Sequence, residues 1–219
     1  MPRNKYPEET VKKILDASLK LFLTKGFEQT TVLDIVDNMG GLTRGAFYHH
    51  FKTKEDVLEA ILNSDSQMYH PFEEAKHATV TNGLERFRLA LKLALKVNLE
   101  SEVRRSLMGE AISLLANPRF LAEHIKEVRA DCALIEQFIE EGMADGSIRQ
   151  GNPKLLAEVF ALLANIWMMP SIFPCADEEM VAKAKALKEV MESLGCPVID
   201  DEIEAIFFES IEIMNIKSG

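Results

Sequence analysis

Cysteine is scarce in this chain of 219 residues, with only three, and there is neither a secretory leader nor an apolar run long enough to cross a membrane. An odd, low cysteine count excludes a disulfide framework, and the other two absences lead us to expect a reduced, cytoplasmic protein that does not enter a membrane. Cys132 falls within a helical pattern and reads as core. Cys175 and Cys196 flank a segment near loops, where a redox pair is the less favoured alternative to free thiols. Catalytic signatures are missing too: no glycine-rich phosphate loop, no His-Glu-x-x-His spacing, no paired-cysteine zinc pattern and no nucleophile elbow. Of the histidines, His49 and His50 are adjacent and point apart on a helix, His70 and His77 straddle Pro71, and His124 stands alone. No metal, no cofactor and no enzymatic activity are expected.

A basic excess is also lacking. The formal net charge is −10, which by itself argues against a nucleic-acid partner. Its distribution argues the other way, because residues 1–54 hold nine Lys/Arg against six Asp/Glu and the remainder sixteen against twenty-nine. Only the first part is expected to face phosphate, with the acidic remainder held away from it.

Within the basic part, the stretch Thr43-Arg44-Gly45-Ala46-Phe47-Tyr48-His49-His50-Phe51 predicts a short helix with two faces. With Thr43 as its cap, Arg44, Gly45, Tyr48 and His49 fall on one side, and Phe47 and Phe51 on the other. The aromatic pair packs inward. A guanidinium, a phenol and an imidazole presented together suit phosphate oxygens and base edges, against the plainer reading of a surface helix with an aromatic anchor. Upstream, Thr31 and Asp34 form a capping-box pattern, Val32, Ile35, Val36 and Met39 repeat at helical spacing, and Gly40-Gly41 ends the run. Short helix, glycine turn and second short helix make a helix-turn-helix, whose second helix enters the DNA major groove. Thr53 and Asp56 open a further helix through Val57, Leu58, Ile61 and Leu62, with Lys54 in its first turn. A leading helix from Glu8 to Lys25 offers Ile14, Ala17, Leu21 and Phe22 as its buried stripe and stops at Gly26-Phe27, and Arg3 and Lys5 precede it on an arm.

Residues 9–62, and above all Gly45-Ala46-Phe47-Tyr48-His49-His50-Phe51-Lys52-Thr53-Lys54-Glu55, resemble the amino-terminal domain of the TetR (tetracycline-repressor-like) family of one-component bacterial regulators. The turn Met39-Gly40-Gly41-Leu42-Thr43 is one residue longer than that family's usual spacing. The resemblance implies that the helix opened by Thr53, followed here through Asp65, Met68 and Tyr69 to Pro71, joins the DNA-binding part to a regulatory part. A shift of its far end would then re-aim the recognition helix, with a kink at Pro71 as pivot.

The remainder shows helical periods only. Leu84, Phe87, Leu91, Leu95 and Asn98 form one stripe, and residues 103–116 form another helix. Arg119 to Asp145 carry Leu121, Ile125, Val128, Cys132, Ile135, Ile139 and Met143 and close at Gly146. Pro153 to Met169 and Asp200 to Ile216 are apolar over more than one stripe, which suggests a subunit interface. Glu178 to Leu194 is a more amphipathic cover or insertion. TetR-like proteins dimerise through late helices, so the resemblance places an interface at Leu156, Phe160, Leu163 and Trp167 and at Ile203, Phe207, Ile211 and Met214. Met108, Cys132, Met143, Phe160 and Trp167 either line a cavity for an apolar or aromatic ligand or are plain core. Asn98 and Asn165 interrupt apolar runs. Glu110 sits on an apolar face, where it meets a cationic ligand, pairs with Arg104 or Arg105, or reaches water at a rim.

The sequence therefore predicts an all-α protein with a helix-turn-helix DNA-binding domain over 1–54 and an effector-binding and dimerisation domain over 55–219. The expected function is a ligand-responsive transcriptional regulator, a repressor that holds a palindromic double-stranded operator as a homodimer and is released by a small lipophilic or aromatic effector. Lys54 and Tyr48 are expected on phosphate, Thr31 and Thr43 as caps with Thr31 adding a phosphate contact, and Arg44, Gly45 and His49 at base edges. Two alternatives stand beside it: an all-α enzyme or carrier with a lipophilic pocket, and a DNA-binding factor without an effector.

Overall fold

The computed structural model describes residues 7–66 and 70–215. Arg3, Lys5, Met68, Tyr69 and Ile216 lie outside them, as do the side chains of Asn98, Ile213 and Met214. Every regular element among the described residues is a helix: α1 (Pro7–Lys25), α2 (Val32–Asn38), α3 (Arg44–His50), α4 (Lys54–Ser66), α5 (Pro71–His77), α6 (Gly83–Glu100), α7 (Glu102–Leu114), α8 (Pro118–Asp145), α9 (Pro153–Leu162) running into a π-helical turn (Leu163–Trp167), α10 (Asp177–Ser193) and α11 (Asp201–Asn215). Contacts divide the chain into two units, Met1–Met68 with Gly109–Ala111 and Tyr69–Met108 with Ile112–Gly219.

In the first unit, α1 begins on Pro7 with Glu8 and Glu9 in its first turn, where carboxylates meet the positive helix end. It stops at Gly26, and the chain turns back so that Phe27 meets the Phe22 ring edge-on at 5.0 Å. The capping box of α2 is complete: the Asp34 N–H donates to the Thr31 hydroxyl at 3.1 Å and the Thr31 N–H to the Asp34 carboxylate at 2.8 Å. Gly40 and Gly41, at φ +65° and +85°, then supply two successive left-handed residues, a backbone that costs a side chain dearly and glycine little. Neither α2 nor α3 has the length to persist alone. Ile35 and Phe47, both 0% exposed, are buried with Ile14, Phe22, Met39, Val57, Leu58 and Ile61, each buried side chain contributing about 1.5–3 kcal/mol.

In the second unit α6 packs on α5, α8 and α11, and α8 on α9. Phe87 and Phe160 meet edge-on at 4.9 Å in a core shared with Phe138, Ile139, Met143 and Met191. Gly83 and Gly142 let α6 and α8 cross closely: a methyl group on Gly83 would lie 2.1 Å from the Gly142 nitrogen. The first N–H of α6 is held by Asp145 Oδ2 at 2.7 Å.

Pro71, expected to kink or end the helix before it, opens α5 at its first position, where the missing N–H would have had no partner. The apolar segment expected to be one helix to Met169 changes at Leu163 into a π-helical turn ending at Trp167. Such a turn leaves carbonyls without their usual donors, and His124 Nε2 lies 3.3 Å from the Asn165 carbonyl oxygen.

All three cysteines are free thiols. Burial pushes the Cys196 thiol up to about 12 and also raises that of the half-buried Cys132. A charged thiol reagent should therefore leave Cys196 untouched in the native protein and reach it only on unfolding, as mass spectrometry of the labelled chain would show; early labelling of Cys196 would contradict this core.

Candidate nucleic-acid interface and effector site

The short helix α3 is built around its cap and one anchor. The Thr43 hydroxyl accepts the Ala46 N–H at 3.2 Å, and Phe47 is fully buried while its edge meets Tyr48 at 5.4 Å and Phe51 packs 6.2 Å away. Thr43, Arg44, Gly45, Tyr48 and His49 are all exposed. The Arg44 guanidinium lies 5.5 Å from the Tyr48 ring, an attraction that keeps both along one face without using the guanidinium's donors. Gly45 has ordinary helical backbone, and a methyl group there would meet only Thr43 Oγ1 at 3.7 Å. Nothing within the chain requires glycine at this position, where alanine would favour the helix.

Two of the residues expected at phosphate are employed otherwise. Lys54 donates to the carbonyls of Phe27 and Glu28 at 2.8 and 3.1 Å and lies 4.4 Å from the Phe27 ring. It caps the end of α1, so two of its three protons are spent. Thr31 gives its hydroxyl proton as well as its N–H to the Asp34 carboxylate, at 2.7 and 2.8 Å, which leaves it no donor for a phosphate. The neighbouring Lys25 bonds the same carboxylate at 2.7 Å and holds Asp34 well below the usual carboxylate range. Sequence reasoning passed over Lys52. Its side chain is exposed at the end of α3, while its backbone N–H is fixed by Asp56 Oδ2 at 2.9 Å, and its place directly after the helix was the available signal.

In the second unit the expected effector residues separate. Phe160 and Met143 belong to the tightly packed core. Cys132 and Asn165 are half-buried on the packed pair formed by α8, α9 and the π-helical turn, and the Asn165 amide donates to the Ala161 carbonyl at 3.1 Å. Trp167 packs partly buried against the core. On α7, Met108 is half-buried in the second unit and Glu110 half-buried in the first. Sequence reasoning also passed over Lys183, 7% exposed, whose ammonium donates to the carbonyls of Phe173 at 3.0 Å and Trp167 at 3.4 Å. Its spacing with Met180, Leu187 and Met191 on the buried stripe of α10 was the sequence signal.

The expected interface residues are also redistributed. Leu156, Phe160, Ile203 and Ile211 are buried inside the chain's own fold, and Leu163, Trp167 and Phe207 pack partly buried against its core. A helix with apolar residues on several faces satisfies its own subunit first. The apolar side chains that α9 leaves outside are Leu155 and Leu162, 57% and 58% exposed and two turns apart on one face.

Among the described residues no group of three His, Cys, Asp or Glu is arranged to hold a metal, and no helix is long and apolar enough to cross a membrane.

Residues 14–61 match the family described as bacterial regulatory proteins, tetR family. The chain is 44% identical over 66 residues to the transcriptional regulator SrpR of Pseudomonas putida, a likeness that spans 30% of this chain and 29% of that one. It is 31% identical over 197 residues to the transcriptional repressor KstR2 of Rhodococcus jostii, covering 84% of this chain and 91% of the relative. In fold it is similar to SmeT of Stenotrophomonas maltophilia in its complex with triclosan, with a TM-score of 0.55 at 22% identity over 90% of this chain and 94% of that one. These relatives are regulators rather than enzymes. With the capped, aromatic-anchored α3 on an all-helical chain, they establish that this protein belongs to the tetR family of bacterial regulatory proteins and is a helix-turn-helix transcriptional regulator.

Proposed function

We propose that the chain is a ligand-responsive repressor that holds a palindromic operator as a homodimer and leaves it when a small lipophilic or aromatic molecule occupies the larger domain. The DNA-reading part is residues 1–54, and the sensing and dimerising part residues 55–219. The observation that carries this reading is the exposed face of α3, where Arg44, Tyr48 and His49 stand beside a glycine that the fold itself does not need. Arg44 reads guanine, His49 and the Gly45 backbone lie at base edges, and Tyr48, the free hydroxyl proton of Thr43 and Lys52 meet phosphate. The exposed pair Leu155 and Leu162 supports pairing of two copies through α9. The half-buried Cys132, Asn165 and Trp167, with Met108 on α7, support a pocket in the larger part, and SmeT binds triclosan in a chain of this fold.

Selection of bound duplexes from a random pool tests the reading. The purified protein should recover an inverted repeat with half-sites about one helical turn apart, and Tyr48→Ala should lose it. A consensus without symmetry would sink the homodimeric operator.

The two lysines at the start of α4 should part company. Lys54→Met is expected to lower the unfolding free energy by about 1–3 kcal/mol, since it strips a charged donor from two carbonyls. Lys52→Ala should leave thermal stability in place, weaken binding to every duplex alike and reduce the slope of log affinity against log salt by about 0.9. Thermal unfolding and salt titrations of the two variants decide the matter; an unchanged salt slope for Lys52→Ala removes it from the phosphate contacts.

A further inference from the structure

In the first unit a cleft of about 550 Å³ lies along α1 where α3 and α4 meet it, with Val11, Leu15, Leu19 and Ile61 as apolar lining and His50 in its wall. This is within the size range of small-molecule sites. The charged residues bordering it are Glu8, Lys12 and Asp16, of mixed sign and all exposed, so the cleft has no field that would select an ion. Nε2 of His50 is shut off from solvent and has no hydrogen-bond partner. Buried polar atoms are nearly always bonded, and an orphan among them calls for a cause. Burial, aided by the neighbouring His49, lowers the His50 pKa from its ordinary value, so at neutral pH the ring carries one N–H and one bare nitrogen.

We propose that this cleft is a ligand site within the unit that carries α3, separate from the effector site of the larger part, and that it takes a small neutral aromatic molecule bearing a hydroxyl group. The ring of the ligand lies on Val11, Leu15, Leu19 and Ile61, and its hydroxyl bonds the His50 imidazole. A hydroxyl both donates and accepts, so it suits either tautomer. Because Nε2 is shielded, the imidazole turns about its Cβ–Cγ bond to meet the ligand. His50 is the last residue of α3 and its ring lies 4.9 Å, edge-on, from that of His49, so this rotation displaces a side chain of the DNA-reading face. The coupling to DNA rests on the proposed role of α3; the binding does not.

The test uses the full chain, labelled at histidine nitrogens and at valine, leucine and isoleucine methyl groups, titrated with 4-ethylphenol and with ethylbenzene. Expected are shifts of the His50 ring nitrogens and of the Val11, Leu15, Leu19 and Ile61 methyls, with ethylbenzene at least tenfold weaker. Leu15→Trp, which fills the cleft, should abolish them, and His50→Phe should erase the preference for the phenol while methyl shifts persist. Operator affinity should fall at least threefold over the same titration in the native chain and not in Leu15→Trp. Shifts confined to residues 69–215, equal affinity for both probes, or an unmoved His50 up to the solubility limit would each overturn the site. Cleft shifts with unchanged operator affinity would leave the site standing and overturn its coupling to α3.

Discussion

Gly83→Ala should unfold much of the second unit at temperatures the native chain tolerates, with a loss of about 3 kcal/mol or more. Overpacked cores typically lose about 1–3 kcal/mol when flexible neighbours can shift, but here the added methyl would lie 2.1 Å from the Gly142 nitrogen and 2.7 Å from the Glu141 carbonyl carbon. Both are backbone atoms of α8. Retreat of α6 is opposed by the bonds from the Gly83 N–H to Asp145 at 2.7 Å and from the Leu84 N–H to Ser147 at 3.3 Å. Gly109 supplies the control, since it lies within α7 and an added methyl would touch nothing within 4 Å. Gly109→Ala should gain about 0.5–1 kcal/mol from helix propensity alone. Thermal and denaturant unfolding of the pair would show opposite signs; a Gly83→Ala chain as stable as the parent would refute the close crossing.

On α3 the same substitution should separate stability from function. Gly45→Ala is expected to stabilise the fold by up to about 1 kcal/mol, because the helix gains a better former and the methyl meets only Thr43 at 3.7 Å. If the backbone at this position lies against DNA, the same methyl weakens operator binding. Arg44→Ala should cost about 1–3 kcal/mol, roughly 10–100-fold in affinity, and relax selectivity at one position in each half-site. Both are measured by unfolding and by titration against the selected operator and its single-base variants. A Gly45→Ala protein with native affinity would mean that the backbone makes no close approach; an Arg44→Ala loss equal on all sequences would move Arg44 from bases to phosphates.

Much of the first unit was legible because its signals are local. Thr31 with Asp34, Thr43 before α3, Gly26 after α1 and Gly40-Gly41 after α2 each act within a few residues, and capping and left-handed turns are properties of short segments. The exposed face of α3 followed from helical spacing once Phe47 was taken as the anchor. The partners of Lys54 were hidden for the complementary reason. Its acceptors, the carbonyls of Phe27 and Glu28, are more than twenty residues away in the chain, and a lysine in a first helical turn has no local mark that tells a cap for a distant helix from a free cation. Thr31 was legible as a cap, whereas only the geometry shows both its protons on one carboxylate.

In the second unit periodicity located the helices, whereas it could not divide their apolar faces among possible neighbours. Leu155 and Leu156 are adjacent and equally apolar, yet one is 57% exposed and the other 8%; the direction of packing, set by α8 and α6, decides which is core. The break into a π-helical turn at Leu163, with His124 at the Asn165 carbonyl, likewise depends on a partner from another helix. By itself the sequence determined the all-helical class, the helix-turn-helix, its caps and turn, and the outward residues of α3, since these rest on backbone preferences and spacing within one segment. Only the tertiary structure decided which lysine is free, which leucines remain outside, and that His50 Nε2 is buried without a partner, because each depends on atoms brought together from distant parts of the chain.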